Sequence, residues 1–220
     1  MVKVKGGTFT MGCTAEQGDD CESDEKPAHT VTLKDFSIDK YEVTQALWQA
    51  VMDETPSHFK GDGNLPVESV SWNDVQEFIQ KLNANTGKKY RLPTEAEWEY
   101  VARGGKNSKG YKFSGSNNID EVARYEKNSY RTTHPVGTKQ ANELGLYDMS
   151  GNVWEWVSDW CVSYSSFSVT NPQGPSSGFS HVIRGGGWDL DTGGCRVSNR
   201  SHSHPVSKYY NLGFRLAHSH

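Results

Sequence analysis

The chain has 220 residues, 34% of them hydrophobic, and a formal charge of −4; that length admits one large domain, and no Ser-, Gly- or charge-rich linker divides it. The acidic balance offers no basic footprint for nucleic acid and no support for a membrane-surface role, and no run approaches the ~20 apolar residues of a membrane-spanning helix. With seven Trp, ten Tyr, eight Phe, 22 Gly and eight Pro, aromatic bulk must carry much of the packing and irregular backbone must be extensive.

From the N-terminus, Gly6 to Gly12 reads as a short strand between glycine turns, and Thr30-Val31-Thr32-Leu33 and Phe36-Ser37-Ile38 read as two more. The acidic run Gln17-Gly18-Asp19-Asp20 lies between Cys13 and Cys21, which are close enough in sequence to bridge it. Such a bridge favours an oxidising compartment, although sequence alone fixes no connectivity. Cys161 and Cys195 can pair, ligate a metal or simply be buried. Met1-Val2-Lys3-Val4-Lys5 lacks the apolar region of a signal peptide. The chain is therefore read either as cytosolic or as an exported body whose signal lies outside it; the expectation is a cell-surface lipoprotein.

Three helices follow. Thr44 caps the first, with Leu47 and Val51 at helical spacing and Pro56 as its stop. Ser71 caps the second, Asp74 completes a capping box, Val75, Phe78, Ile79 and Leu82 form one apolar stripe, and Asn85-Thr86-Gly87 ends it. Thr94 and Glu97 make a second capping box, and Gly104-Gly105 terminate that helix. From Asn107 to Pro135 periodicity fails and a long loop is expected. Val153 to Val157 then alternates, predicting a strand with Trp154 and Trp156 on one face.

After a Ser/Gly/Pro loop, Ser163 to Gly178, comes a framed stretch. It opens with Arg184-Gly185-Gly186-Gly187-Trp188 and closes with Asn211-Leu212-Gly213-Phe214-Arg215. Between them Asp189-Leu190-Asp191, Ser201-His202-Ser203-His204 and Tyr209-Tyr210 follow neither a helical nor a strand period that would send them into a core.

The motifs Gly7 to Gly12, Asp39 to Thr44, Val70-Ser71-Trp72, Arg91 to Glu99, Gly151 to Trp156, Arg184 to Trp188 and Gly213-Phe214-Arg215, taken in order, resemble the formylglycine-generating-enzyme (sulfatase-modifying-factor) domain. The resemblance runs nearly end to end. It implies an α+β chain with a C-type lectin-like fold: small antiparallel sheets, helices and extensive loops, in a single domain over 1–220. The family's enzymes oxidise a substrate cysteine with copper held by two cysteines, and soft Cu(I) needs both thiolates. The corresponding positions here are Leu190 and Cys195, so no enzymatic activity and no required cofactor are expected. The resemblance also implies a structural calcium site at Asn152 and Glu155 with backbone carbonyls around Ser150 and Val153; the other reading is that Asn152 holds the glycine turn and Glu155 pairs with a base.

The C-terminus further resembles the variable proteins of diversity-generating retroelements, in which adenine-directed mutagenesis rewrites codons between segments like Arg184-Gly185-Gly186, Cys195-Arg196, Asn199-Arg200 and Leu212-Gly213-Phe214-Arg215. Lys208 is not reachable from an asparagine codon by changing adenines and is expected to be invariant. The expectation is a monomeric display protein that binds an unknown protein or surface ligand, with a variable region over 183–210. Its recognition residues are Ile183, Gly186, Asp189, Leu190, Asp191, Gly193, Ser201, His202, Ser203, His204, Ser207, Tyr209 and Tyr210, with the tyrosines as rigid anchors and the serines as adaptable hydrogen-bonding groups. Two alternatives stand beside it: a metal enzyme using His202, His204 and Cys195, and an inert accessory domain.

Overall fold

The computed structural model describes residues 1–219. The elements run β1 (Val2–Val4), β2 (Thr8–Met11), β3 (His29–Thr32), β4 (Phe36–Ile38), α1 (Gln45–Met52), α2 (Trp72–Thr86), β5 (Tyr90–Arg91), α3 (Glu95–Ala102), α4 (Ile119–Val122), β6 (Trp154–Trp160), β7 (Val169–Thr170), β8 (His181–Arg184), β9 (Arg200–Ser203), β10 (Leu212–Phe214) and β11 (Ala217–Ser219).

The helices start where capping chemistry puts them. Ser71 Oγ accepts the Asp74 N–H at 3.2 Å while Asp74 Oδ2 accepts the Ser71 N–H at 2.8 Å, so two otherwise orphaned donors are satisfied reciprocally. Thr94 and Glu97 repeat the arrangement at α3. Val75, Phe78, Ile79 and Leu82 are buried on one face of α2, and Gly87 closes it in the left-handed region at φ 67°. Helix α1 departs from expectation: it ends before Pro56, at Asp53, whose left-handed backbone returns its N–H to the Gln49 carbonyl.

Among the described residues the strands form three sheets, ordered β1-β4-β11-β5, β10-β6-β8-β9 and β2-β3-β7. They are mixed and not purely antiparallel, because β10 pairs in parallel with β6 and β3 with β7. The long excursion from β6 to β10 through the framed stretch is what allows a parallel return.

Strand β6 is buried on both faces. The two-residue period of the strand sends Trp154 and Trp156 into a cluster with Trp48, Phe78, Leu212 and Phe214, and sends Val157 into a cluster with Phe36, Trp98 and Val182. The stretch expected as loop, 107–135, hides α4, whose four residues are too few to show a period; Ile119 and Val122 bury against Phe113, Ala123, Tyr125 and Cys195.

Candidate functional site

The arginines that frame the C-terminal stretch are all buried and paired. Arg215 Nε and Nη2 donate to the two oxygens of Glu155 at 2.7 and 2.6 Å, and Trp98 Nε1 adds a third bond at 2.7 Å. Arg196 grips Glu25 with both terminal nitrogens, at 2.8 and 2.6 Å. Arg200 donates through Nε and Nη2 to Glu95 at 2.8 Å each. Arg184 pairs with Glu99 and donates to the Ser198 carbonyl at 2.8 Å, with its Nε 3.5 Å from Glu95. The planar guanidinium fork matches a carboxylate in two bonds, which holds the ends of β8 and β9 and the loops that join them rigidly. Burial alone would raise the Glu95 carboxyl, but Arg200 and Arg184 outweigh it and hold it below the usual range. Glu25 is lowered likewise against its burial, by Arg196 and Ser198.

On this frame sit the sequence-expected recognition residues. Asp191, His202, His204, Tyr209 and Tyr210 are exposed, and Asp189, Leu190, Gly193, Ser201 and Ser207 are half-buried. Three do not belong to the face. Ile183 packs with Trp154 and Trp156 in the core because it lies in β8 opposite Trp156. Ser203 turns inward opposite His181. Gly186 is buried at φ 75°, and a methyl there would lie 2.5 Å from the Gly194 carbonyl oxygen, so the position admits only glycine. The face is therefore two-part: Asp191, Ser201, His202 and His204 in one part, and the loop carrying Tyr209 and Tyr210 in the other. That loop is held by Ser69 N–H to the Tyr209 carbonyl at 2.9 Å and Asn73 N–H to the Pro205 carbonyl at 3.3 Å. Asn211 Nδ2 donates to both oxygens of Asp189 at 3.1 and 3.0 Å, fixing the start of the stretch to its end.

The structure adds residues that the sequence reading missed. Tyr210 belongs to an aromatic group with Trp188, Phe59 and His58, with ring centres 5.7 Å (Tyr210 to Trp188), 5.5 Å (Phe59 to Trp188) and 5.7 Å (His58 to Tyr210) apart. Phe59 stands edge-on to both larger rings, at 88° and 86°, the arrangement that ring quadrupoles favour. Leu190, Asp191, Gly193 and Ser201 line a polar cavity of about 350 Å³ whose opposite rim is Asp20 and Glu22. Those acids come from the N-terminal loop clamped by the Cys13–Cys21 disulfide, Cα to Cα 5.8 Å. Phe179 is 83% exposed and packs against His204 at 5.3 Å. The exposed Phe179 in a loop was the local signal available, whereas Phe59 is half-buried.

The residues of the metal-enzyme alternative do not come together. Cys195 is fully buried among Phe113, Ile119 and Tyr125, and burial pushes its thiol far above the usual range, so it remains protonated. Leu190 beside it offers no ligand atom, and the pair does not fit copper. His202 and His204 are exposed whereas Cys195 is buried, and among the described residues no three His, Cys, Asp or Glu side chains converge on a metal position. At the glycine turn, Asn152 Oδ1 accepts the His134 N–H at 3.0 Å while Nδ2 donates to Glu42 at 2.6 Å and to the His134 carbonyl. Glu155 is bound by Arg215 and Trp98, so in this structure the two residues brace the turn and pair a base.

The chain matches the model of the sulfatase-modifying factor enzyme 1-like domain over residues 1–220. It is 37% identical to the chaperone protein LppX of Paenibacillus barcinonensis over 86% of this chain and 78% of that one, and 30% identical to the formylglycine-generating enzyme of Streptomyces coelicolor over 98% of this chain and 88% of that one. Among solved structures it superimposes on Treponema denticola variable protein 1 with a TM-score of 0.90 and 32% identity, covering 100% of this chain and 95% of the other. The fold is the C-type lectin-like one, and the chain belongs to the sulfatase-modifying factor enzyme 1-like family.

Proposed function

We propose that this is a non-enzymatic display protein, whose exposed C-terminal face binds a protein or surface ligand and is diversified between invariant frame residues. The observation that carries this reading is the division of labour in one stretch. Arg184, Arg196, Arg200 and Arg215 are buried in ion pairs, while Asp191, His202, His204, Tyr209 and Tyr210 between them face solvent. A stretch built this way changes its surface chemistry without disturbing its support. Surface tyrosines suit such a face because they offer rigid, amphipathic area at low entropic cost. The likeness to the Treponema variable protein supports the reading, whereas the likeness to formylglycine-generating enzymes favours catalysis. Leu190, which carries no ligand atom, and the buried Cys195 support the non-enzymatic reading. The disulfide favours an oxidising compartment, consistent with display at the cell surface.

Two measurements test this. Incubation with Cu(I), oxygen and a cysteine-containing peptide is expected to give no oxidised cysteine, and turnover would contradict it. The gene's neighbourhood is expected to carry a near-copy of the last coding stretch that differs only at adenines; its absence would remove the diversification claim.

A further inference from the structure

The Ser/Gly/Pro loop 163–178 closes over a second cavity, of about 140 Å³, that shares only Arg200 with the one on the recognition face. Its walls are largely apolar, with Met11, Ala96, Trp160, Val162, Tyr164 and Val169 among them. A space of this size holds one ring about as large as benzene.

One carboxylate gives the cavity its chemistry. Asp159 is 6% exposed, and its Oδ2 accepts the Glu95 N–H and the Ser158 hydroxyl, both at 2.9 Å. Among the described residues no donor bonds to Oδ1. That oxygen is left open by Gly174, another lining residue, since a methyl there would stand 3.2 Å from it. Arg200 and His29 also line the cavity, but Arg200 is engaged by the neighbouring acid, Glu95, and the largest charge effects on Asp159 itself, from Glu95 and Glu97, are both negative. Burial first, and Glu95 second, hold the Asp159 carboxyl up at about 7. A buried acid with one oxygen unbonded, no cation of its own and an apolar, aromatic-walled space in front of it lacks one thing: a positively charged donor. An ammonium supplies the charge and the hydrogen bond together.

We propose that this cavity binds a small organic ammonium, an apolar body of roughly benzene size carrying one primary amine, with its nitrogen on Asp159 Oδ1. The site is independent of the recognition face, so it stands or falls separately from the display reading.

The test titrates benzylammonium chloride into the full chain, read by calorimetry and by tryptophan fluorescence, since Trp160 lines the cavity. Saturable binding with one equivalent is expected, with benzyl alcohol weaker by about tenfold, the value of one charged hydrogen bond, and no binding of benzoate. Asp159→Asn should weaken benzylammonium by about tenfold. Gly174→Ala, which keeps the carboxyl group but sets a methyl 3.2 Å from Oδ1 at a left-handed backbone position (φ 68°) on a surface loop, should do the same, and it decides the matter where the first variant folds poorly. Absence of saturation, equal affinity for the alcohol and the ammonium, or unchanged affinity in Gly174→Ala would overturn the proposal.

Discussion

Lys208 Nζ lies 2.7 Å from Asp74 Oδ2, the same oxygen that accepts the Ser71 N–H at the start of α2. One carboxylate thus caps a helix and moors the loop that presents Tyr209 and Tyr210. Lys208, like Trp188, is a residue of the stretch that adenine-directed change of an asparagine codon cannot produce, and its mooring role would give a physical reason for it to stay constant.

Replacing Lys208 by Met should cost less than about 1 kcal/mol, because a half-exposed ion pair is screened by water and pays side-chain entropy. Asp74→Ala should cost more, about 1–2 kcal/mol, because it also removes the capping box. Both should speed amide hydrogen exchange from His204 to Tyr210 if the pair moors the loop. Unchanged exchange in Lys208→Met would show that the backbone bonds from Ser69 and Asn73 suffice.

The frame should be far less tolerant. Glu155→Gln or Arg215→Met leaves one member of a fully buried pair without its counter-charge, for which a loss of about 3–5 kcal/mol is expected in urea unfolding. His202→Ala and Asp191→Ala should stay within about 0.5 kcal/mol of the parent. Similar losses at the two kinds of position would abolish the distinction between frame and face.

Stability should depend on pH in a direction unusual for an acidic protein. Burial raises Asp159 to about 7 and Asp148 to about 6 from 3.8. Between those values and 3.8 the folded state binds more protons than the unfolded one, so stability falls as pH rises through this window. Glu25 and Glu95 are lowered by their arginines, so their contribution is complete above about 4.5 and is lost on further acidification. Unfolding curves should show a maximum near pH 5, and Asp159→Asn should flatten the decline toward neutral pH. A monotonic rise in stability from pH 5 to 8 would contradict the raised carboxyls.

Phe59 and Trp188 come from stretches 129 positions apart in numbering and meet edge-on at 5.5 Å. A double-mutant cycle between Phe59→Ala and Tyr210→Ala should give a coupling of about 0.5–1.5 kcal/mol. Trp188 emission should shift to the red in each single variant as its ring gains water. Additive effects and an unshifted spectrum would mean that Phe59 is no part of the face.

How much of this was legible in the chain varies with range. Capping boxes at Ser71 and Thr94 were visible because their partners are three residues away. The tryptophan face of β6 was visible because strand alternation is local. Helix α4 is too short to display a period. The carboxylates that seat the framing arginines were invisible for another reason: Arg196 reaches Glu25 across 171 positions and Arg200 reaches Glu95 across 105, and such pairs leave no periodic trace. For the same reason Ile183 and Ser203 read as display residues from their neighbours, when β8 and β9 turn them inward.

The most direct measurement randomises Asp191, His202, His204, Tyr209 and Tyr210 together and scores the fraction of variants that remain folded, by proteolytic resistance of individual clones. If these side chains are a replaceable surface on an ion-paired frame, most variants will resist cleavage as the parent does, and binding to different targets will be selectable from them. If most variants unfold, the stretch is part of the core and the display function is wrong.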